Sequence, residues 1–113
     1  MLTIYHNPRC RKSRETLNLI EESGELVEVI EYLKEVPSKK DLSKIIEYLG
    51  IKPFELIRRG EAEFKEHFRG KELSDDQWIE AMLKYPKLIE RPIVVKEQQA
   101  VIGRPPENVK KFL

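Results

Sequence analysis

Apolar positions recur along this chain with two different periods, and the places where the period changes mark its elements. Leu2 to Tyr5 is a short apolar run rich in strand formers, closed by the turn pair Asn7-Pro8, and it predicts a first strand. From Arg11 to Ser23 the pattern is helical: Leu17 and Ile20 share a face, and Gly24 stands where a helix end favours a left-handed residue. Val27 to Ile30 resumes strand character, so two strand-like runs flank a helix and predict a parallel pair with a right-handed crossover. Ser38 is placed to cap a second helix, in which Leu42, Ile45, Ile46 and Leu49 fall at helical spacing before Gly50. After Pro53 the segment FELIRRG predicts a turn or two of helix ending near Gly60, and Glu61 to Leu73 is polar, without a clear period, and a candidate flap. Ser74-Asp75-Asp76-Gln77 is a capping box for a helix that buries Trp78, Ile79, Met82 and Leu83 and stops at Pro86. The β-branched run Ile93-Val94-Val95 after Arg91-Pro92, and the run Ala100-Val101-Ile102, predict a hairpin turning within Lys96 to Gln99. Pro105 or Pro106 then begins a last short helix through Val109 and Phe112.

The order β-α-β, helices, β-β-α predicts an α/β chain of thioredoxin-like type, a mixed four-stranded sheet with flanking helices and a helical insertion. No internal repeat, low-complexity tract or linker interrupts it, and 113 residues with 40% hydrophobic and 36% charged positions suit one domain, 1–113. Its 21 basic and 20 acidic residues nearly cancel, so no global field argues for nucleic acid or an anionic membrane. No apolar run approaches the roughly 20 residues that span a bilayer. The N-terminus reads as a strand rather than an export segment, which makes the cytoplasm the expected location. One cysteine excludes an intramolecular disulfide, and with two histidines, His6 and His67, it makes a poor zinc set, so no metal is expected.

That cysteine, Cys10, falls where the first strand hands over to the first helix, within YHNPRCRKS. A helix N-terminus and neighbouring cations can lower a thiol pKa to roughly 3.5 to 7.5, and helix-start amides also bind oxyanions. His6 either adds positive charge when protonated or orients the thiol through Asn7. The alternative for Cys10 is a small buried hydrophobe, but Arg9, Arg11 and Lys12 around it favour a reactive thiol. His67, in a polar stretch, reads as surface. A dithiol oxidoreductase would carry C-x-x-C, whereas Ser13 holds that position here, so any disulfide forms with another molecule. A cysteine phosphatase would carry C-x5-R, and Thr16 stands where that arginine would be. Arginines recur at Arg58-Arg59, at Arg91 before Pro92 and at Arg104 before Pro105-Pro106. Guanidinium forks of this kind can cradle a tetrahedral oxyanion through paired hydrogen bonds.

Together HNPRCRKS, LIRRG, RPIVV and GRPPE resemble the arsenate reductase family of the glutaredoxin-coupled, thioredoxin-fold type, from Thr3 to about Val109. H-N-P-x-C-x-x-S followed by a basic residue, Arg14, is the most specific part. The resemblance implies that Cys10 is the nucleophile toward arsenate and that His6 helps keep it ionised. It further implies that Ser13 donates a hydrogen bond to the thiolate and that Arg58, Arg91 and Arg104 hold the oxyanion. Arg58 is preferred over Arg59 from the family pattern alone. Pro92 matches the position of the cis proline of thioredoxin folds. No bound cofactor is implied; glutathione and glutaredoxin serve as reductants of a monomeric enzyme that needs neither nucleic acid nor membrane. The chain stops at Leu113, where plasmid-type members continue, so it is similar to the shorter chromosomal branch. One rival has the same fold in the Spx-like regulators, which bind the RNA polymerase alpha C-terminal domain but usually carry C-x-x-C. A second rival is a glutathione-dependent reductase of another substrate.

Overall fold

Four strands form one sheet in the order β2-β1-β3-β4, in a computed structural model that describes residues 1–113. β1 (Leu2–His6) and β2 (Val27–Glu31) run parallel, from Leu2 beside Val27 to His6 beside Glu31, and α1 (Arg11–Ser23) makes the crossover. β3 (Ile93–Lys96) lies antiparallel on the other edge of β1 and pairs with β4 (Gln99–Ile102). The sheet is therefore mixed and four-stranded, the thioredoxin-like arrangement that the element order predicts. The hairpin turns through Glu97 at φ 56°, a left-handed conformation taken without glycine or asparagine.

By its internal contacts the chain divides into two compact units, Met1–Glu35 with Arg91–Leu113, and Val36–Glu90. The first holds the sheet, α1 and a closing 3-10 segment, Pro106–Phe112. Alternation along β1 sends Leu2, Ile4 and His6 to a buried face. Leu2 and Ile4 pack with Ile20 of α1, Val94 of β3, and Val109 and Phe112 of the closing segment. Each such side chain stabilises the unit by about 1.5–3 kcal/mol through removal of its surface from water.

The face that α1 buries is Ser13, Thr16 and Ile20, with Leu17 half-buried. Thr16 can be buried because its hydroxyl donates to the Lys12 carbonyl at 2.8 Å, with the Gly103 carbonyl a longer 3.4 Å away. Gly103 fits against that helix only because it lacks a side chain. A Cβ there would run into Thr16 Oγ1 and stand 2.8 Å from Pro92 Cγ, and the Gly103 N–H is already tied to the Pro92 carbonyl at 2.9 Å. Gly103→Ala is therefore expected to lower stability by about 1–3 kcal/mol, the usual consequence of overpacking. Urea unfolding measures this, and an unchanged midpoint would mean that α1 yields freely.

The second unit contains α2 (Lys39–Leu49), α3 (Ala62–His67) and α4 (Asp75–Lys84). Ser38 caps α2 by accepting from the Asp41 N–H, and Gly50 closes it at φ 69°. Ser74 and Gln77 form the expected capping box of α4, whose buried face is Trp78, Ile79, Ala81 and Met82; Leu83 is only half-buried. Two expectations need correction. The helical turn after Pro53 ends at Leu56 rather than near Gly60, because Ile57 bridges Ile89 in extended form. The Arg58 N–H donates to the Leu88 carbonyl at 2.7 Å and the Glu90 N–H to the Leu56 carbonyl at 2.9 Å, so another segment supplies the partners a longer helix would have used. Glu61 to Leu73 is more structured than its polarity suggests. It contains α3, which buries Phe64 in a cluster with Trp78 (ring centroids 6.2 Å apart) and Phe68 (6.4 Å). No helix is long and apolar enough to cross a membrane.

Candidate active site

The turn between β1 and α1 places Cys10 by local hydrogen bonding. The Cys10 N–H donates to the Asn7 carbonyl at 3.0 Å, and the Arg9 N–H donates to Asn7 Oδ1 at 3.0 Å, an Asx turn. Arg14 Nη1 donates to the Pro8 carbonyl at 3.0 Å and pins the loop from outside. Cys10 is then the N-cap of α1, with its own carbonyl accepting from the Arg14 N–H. Its thiol is half-buried and makes no short capping hydrogen bond, but the N–H groups of Ser13 and Lys12 face it. No acidic side chain lies in the first turn of α1 to neutralise these amides.

Two further cations reach the sulfur from the far end of the chain. The Arg91-Pro92 and Arg104-Pro105 peptide bonds are both cis, the first as the fold type suggests and the second not foreseen. Arg91 donates a side-chain hydrogen bond to the sulfur. Arg104 Nη1 lies 3.8 Å from Cys10 Sγ and donates to the Arg91 carbonyl at 3.2 Å. Asn108 Nδ2 holds the Arg104 carbonyl at 3.2 Å. Burial taken alone raises the Cys10 pKa. The Ser13 N–H, the hydrogen bond and charge of Arg91, and the Lys12 N–H outweigh it, so the thiol sits below its ordinary value. A thiol whose pKa is lowered by guanidinium groups and helix-start amides is the more readily ionised, and as thiolate it can attack an electrophilic oxyanion that the same groups bind.

Behind the thiol, His6 and Ser13 form a closed polar pair. His6 Nδ1 and Ser13 Oγ are 2.6 Å apart, and the Asn7 N–H donates to the same oxygen at 3.0 Å. Ser13 is 0% exposed and His6 6%. Burial, aided by the charge of Arg14, holds the His6 pKa below its ordinary value against the opposing carboxylates of Glu31 and Glu21, so the ring is neutral at pH 7. Of the two sequence alternatives for His6, this geometry fits positioning rather than added charge. Ser13 Oγ is engaged by His6 and Asn7, and it is the Ser13 backbone N–H that bears on the sulfur. Ser13→Ala is accordingly expected to cost about 1–3 kcal/mol of stability, because buried polar groups of His6 and Asn7 lose their partner. It should leave the pH midpoint of thiol alkylation nearly in place. Urea unfolding and iodoacetamide kinetics read the two effects separately.

Cys10, His6, Ser13, Arg91 and Arg104 are thus brought together in the first unit. Arg58 belongs to the second, where its Nε lies 3.4 Å from Glu61 Oε1 and its Nη1 3.3 Å from Glu90 Oε1. Arg59 is exposed and lies over the Phe54 ring at 5.3 Å. His67 stacks on Tyr85 with centroids 5.0 Å apart, away from any group of three or more potential metal ligands. Sequence reasoning missed the tethering roles of Arg14 and of Asn7 Oδ1. The Asn-Pro turn signal, and a basic residue one helical turn after Cys10, were the traces they left.

Residues 5–112 match the sequence pattern of the ArsC family. The chain belongs to the ArsC family. The uncharacterized Escherichia coli protein YfgD is 48% identical to it over 94% of this chain and 91% of its own length. The arsenate reductase of Neisseria meningitidis serogroup A is 38% identical over 99% of this chain and 97% of its own. Among solved structures, the arsenate reductase from Vibrio cholerae superimposes with a TM-score of 0.94 at 47% identity, covering 99% of this chain and 97% of that one. The ArsC match includes every predicted site residue, those of the second unit among them.

Proposed function

We propose that this ArsC chain is an arsenate reductase that draws its electrons from glutathione and glutaredoxin. The observation that carries the reading is the approach of Arg91 and Arg104 to a thiol with a lowered pKa at the start of α1. Likeness to named arsenate reductases over nearly the whole chain supports the substrate.

In the proposed cycle Cys10 thiolate attacks arsenic(V), a sulfur–arsenic bond forms, and one arsenate oxygen leaves as water after protonation. Glutathione thiol then attacks the ester. Arsenic takes up two electrons, one from each sulfur, and the products are arsenous acid and a Cys10–glutathione mixed disulfide. A glutaredoxin thiolate attacks the glutathione sulfur of that bond, keeps the glutathionyl group as its own mixed disulfide and releases Cys10 as a thiolate. With no second cysteine in the chain, the reducing thiol must come from outside. Arg91 and Arg104 neutralise the charge of the oxyanion as it meets the thiolate, and the Ser13 and Lys12 amides hold the attacking sulfur ionised. His6 and Ser13 keep the turn in place behind it. Arg58, by resemblance, is the third arginine of the oxyanion site, with Glu61 and Glu90 fixing its side chain. The two units work as one reductase domain, a cytoplasmic monomer.

The deciding experiment supplies purified protein with arsenate, glutathione, glutaredoxin, glutathione reductase and NADPH. NADPH oxidation that depends on both arsenate and this protein is the expected result. Absence of that dependence, together with a stable complex with the RNA polymerase alpha C-terminal domain, would transfer the chain to the Spx-like regulators.

A further inference from the structure

Alongside the turn that carries the thiol, residues 6–9 and Glu31, Leu33 and Lys34 enclose a cavity of about 210 Å³. Arg9, which directly precedes Cys10, and Lys34 are exposed cations on its wall. Glu31 adds a carboxylate to the same wall, with Oε1 3.6 Å from Lys34 Nζ and its charge felt by the buried His6 ring. Pro8 and Leu33 supply the apolar part. Cavities that enclose a whole drug-sized ligand run to about 300–1,000 Å³, so this one suits a single end of a larger molecule. An oxyanion would gain nothing from Glu31 and has Arg91 and Arg104 to receive it instead. A mixed wall of cations and one carboxylate instead complements a group bearing both charges on neighbouring atoms, as the free α-carboxylate and α-ammonium of an amino-acid end do.

We infer that this cavity seats the amino-acid end of the small thiol that exchanges with Cys10, with Arg9 and Lys34 on its carboxylate and Glu31 on its ammonium. The inference rests on the reading of Cys10 as a thiol that reacts with an external low-mass thiol, and it names the part of that molecule the protein recognises. Glutathione has such an end at its γ-glutamyl residue, joined to the cysteine that carries the sulfur.

The test omits arsenate. Reduced full-length protein is mixed with glutathione disulfide, with cystamine, which bears only ammonium groups, or with 3,3′-dithiodipropionate, which bears only carboxylates. In each case Cys10 thiolate attacks one sulfur and the disulfide bond breaks. One half stays on Cys10 as a mixed disulfide and the other leaves as a thiolate, so Cys10 is oxidised and the departing half reduced. Mass spectrometry follows the adduct against time and concentration.

The rate with glutathione disulfide should saturate, and the double variant R9A/K34A should slow it by about tenfold or more while cystamine does not slow. Glu31→Gln gives the sharper reading. Removing that negative charge strengthens the local positive field, which by itself would speed attack on an anionic disulfide; a seated ammonium makes glutathione disulfide slower relative to dithiodipropionate. A strictly linear concentration dependence, equal effects of R9A/K34A on all three disulfides, or acceleration of glutathione disulfide in Glu31→Gln would overturn the assignment. Since arsenate is absent, a failed arsenate assay leaves this result standing. A flat result here likewise leaves the arsenate assay untouched.

Discussion

Cys10→Ser is expected to abolish arsenate-dependent NADPH oxidation while leaving the protein folded. A serine hydroxyl in the same position is not ionised at neutral pH, cannot form a stable bond to arsenic(V) that a thiol then reduces, and cannot enter a mixed disulfide. The chain's single cysteine leaves no substitute nucleophile. Retained turnover would remove Cys10 from the scheme altogether. The lowered pKa has a thermodynamic signature too, most clearly seen against Cys10→Ala. In the window between the lowered folded pKa and the ordinary thiol value of about 8.5, the unfolded chain binds a proton that the folded protein does not. Stability relative to Cys10→Ala should therefore rise with pH through that window, be complete above it, and vanish as pH falls through the folded pKa. Urea titrations at a series of pH values would show it, and parallel pH profiles for the two proteins would contradict it.

Arg91→Ala should produce the second large effect, in two readouts at once. The arginine lowers the thiol pKa by both hydrogen bond and charge, so its loss should move the alkylation midpoint upward toward the ordinary thiol value. Arsenate binding should weaken by about 1.5–3 kcal/mol, the usual contribution of a hydrogen bond to a charged group, visible as a raised KM. Arg91→Lys separates the two, because a point charge restores part of the pKa shift without the paired hydrogen bonds of a guanidinium. An unchanged dependence on arsenate concentration in Arg91→Ala would place the oxyanion elsewhere.

Much of this arrangement was legible before any coordinates, and the reasons lie in particular residues. Gly24, Ser38, Gly50 and Ser74 are local signals whose meaning needs only their neighbours, and all the helix ends they mark are where the pattern puts them. The placement of Cys10 at a helix start followed from Asn7-Pro8 in the same way. Other features depend on partners distant in sequence. The helical turn after Pro53 stops early because Ile89 is opposite Ile57, and nothing inside FELIRRG announces that. Phe64 and Phe68 were submerged in the charge of their segment, although their spacing of one helical turn is the trace of α3. The burial of Ser13 and Thr16 is invisible to a reading that counts apolar residues, since His6, Asn7 and Lys12 satisfy their hydroxyls. The resemblance implies a hydrogen bond from Ser13 to the thiolate without saying which group donates it; the group that faces the sulfur is the backbone N–H, while the hydroxyl is held by His6 and Asn7.

The first turn of α1 holds basic residues where most helices benefit from acidic ones. On the proposed function, stability is forgone there so that the positive pole stays available to an anion, a local compromise between robustness and chemistry. Thermal hardening by the standard recipe of acidic helix starts would therefore quench the nucleophile it was meant to protect.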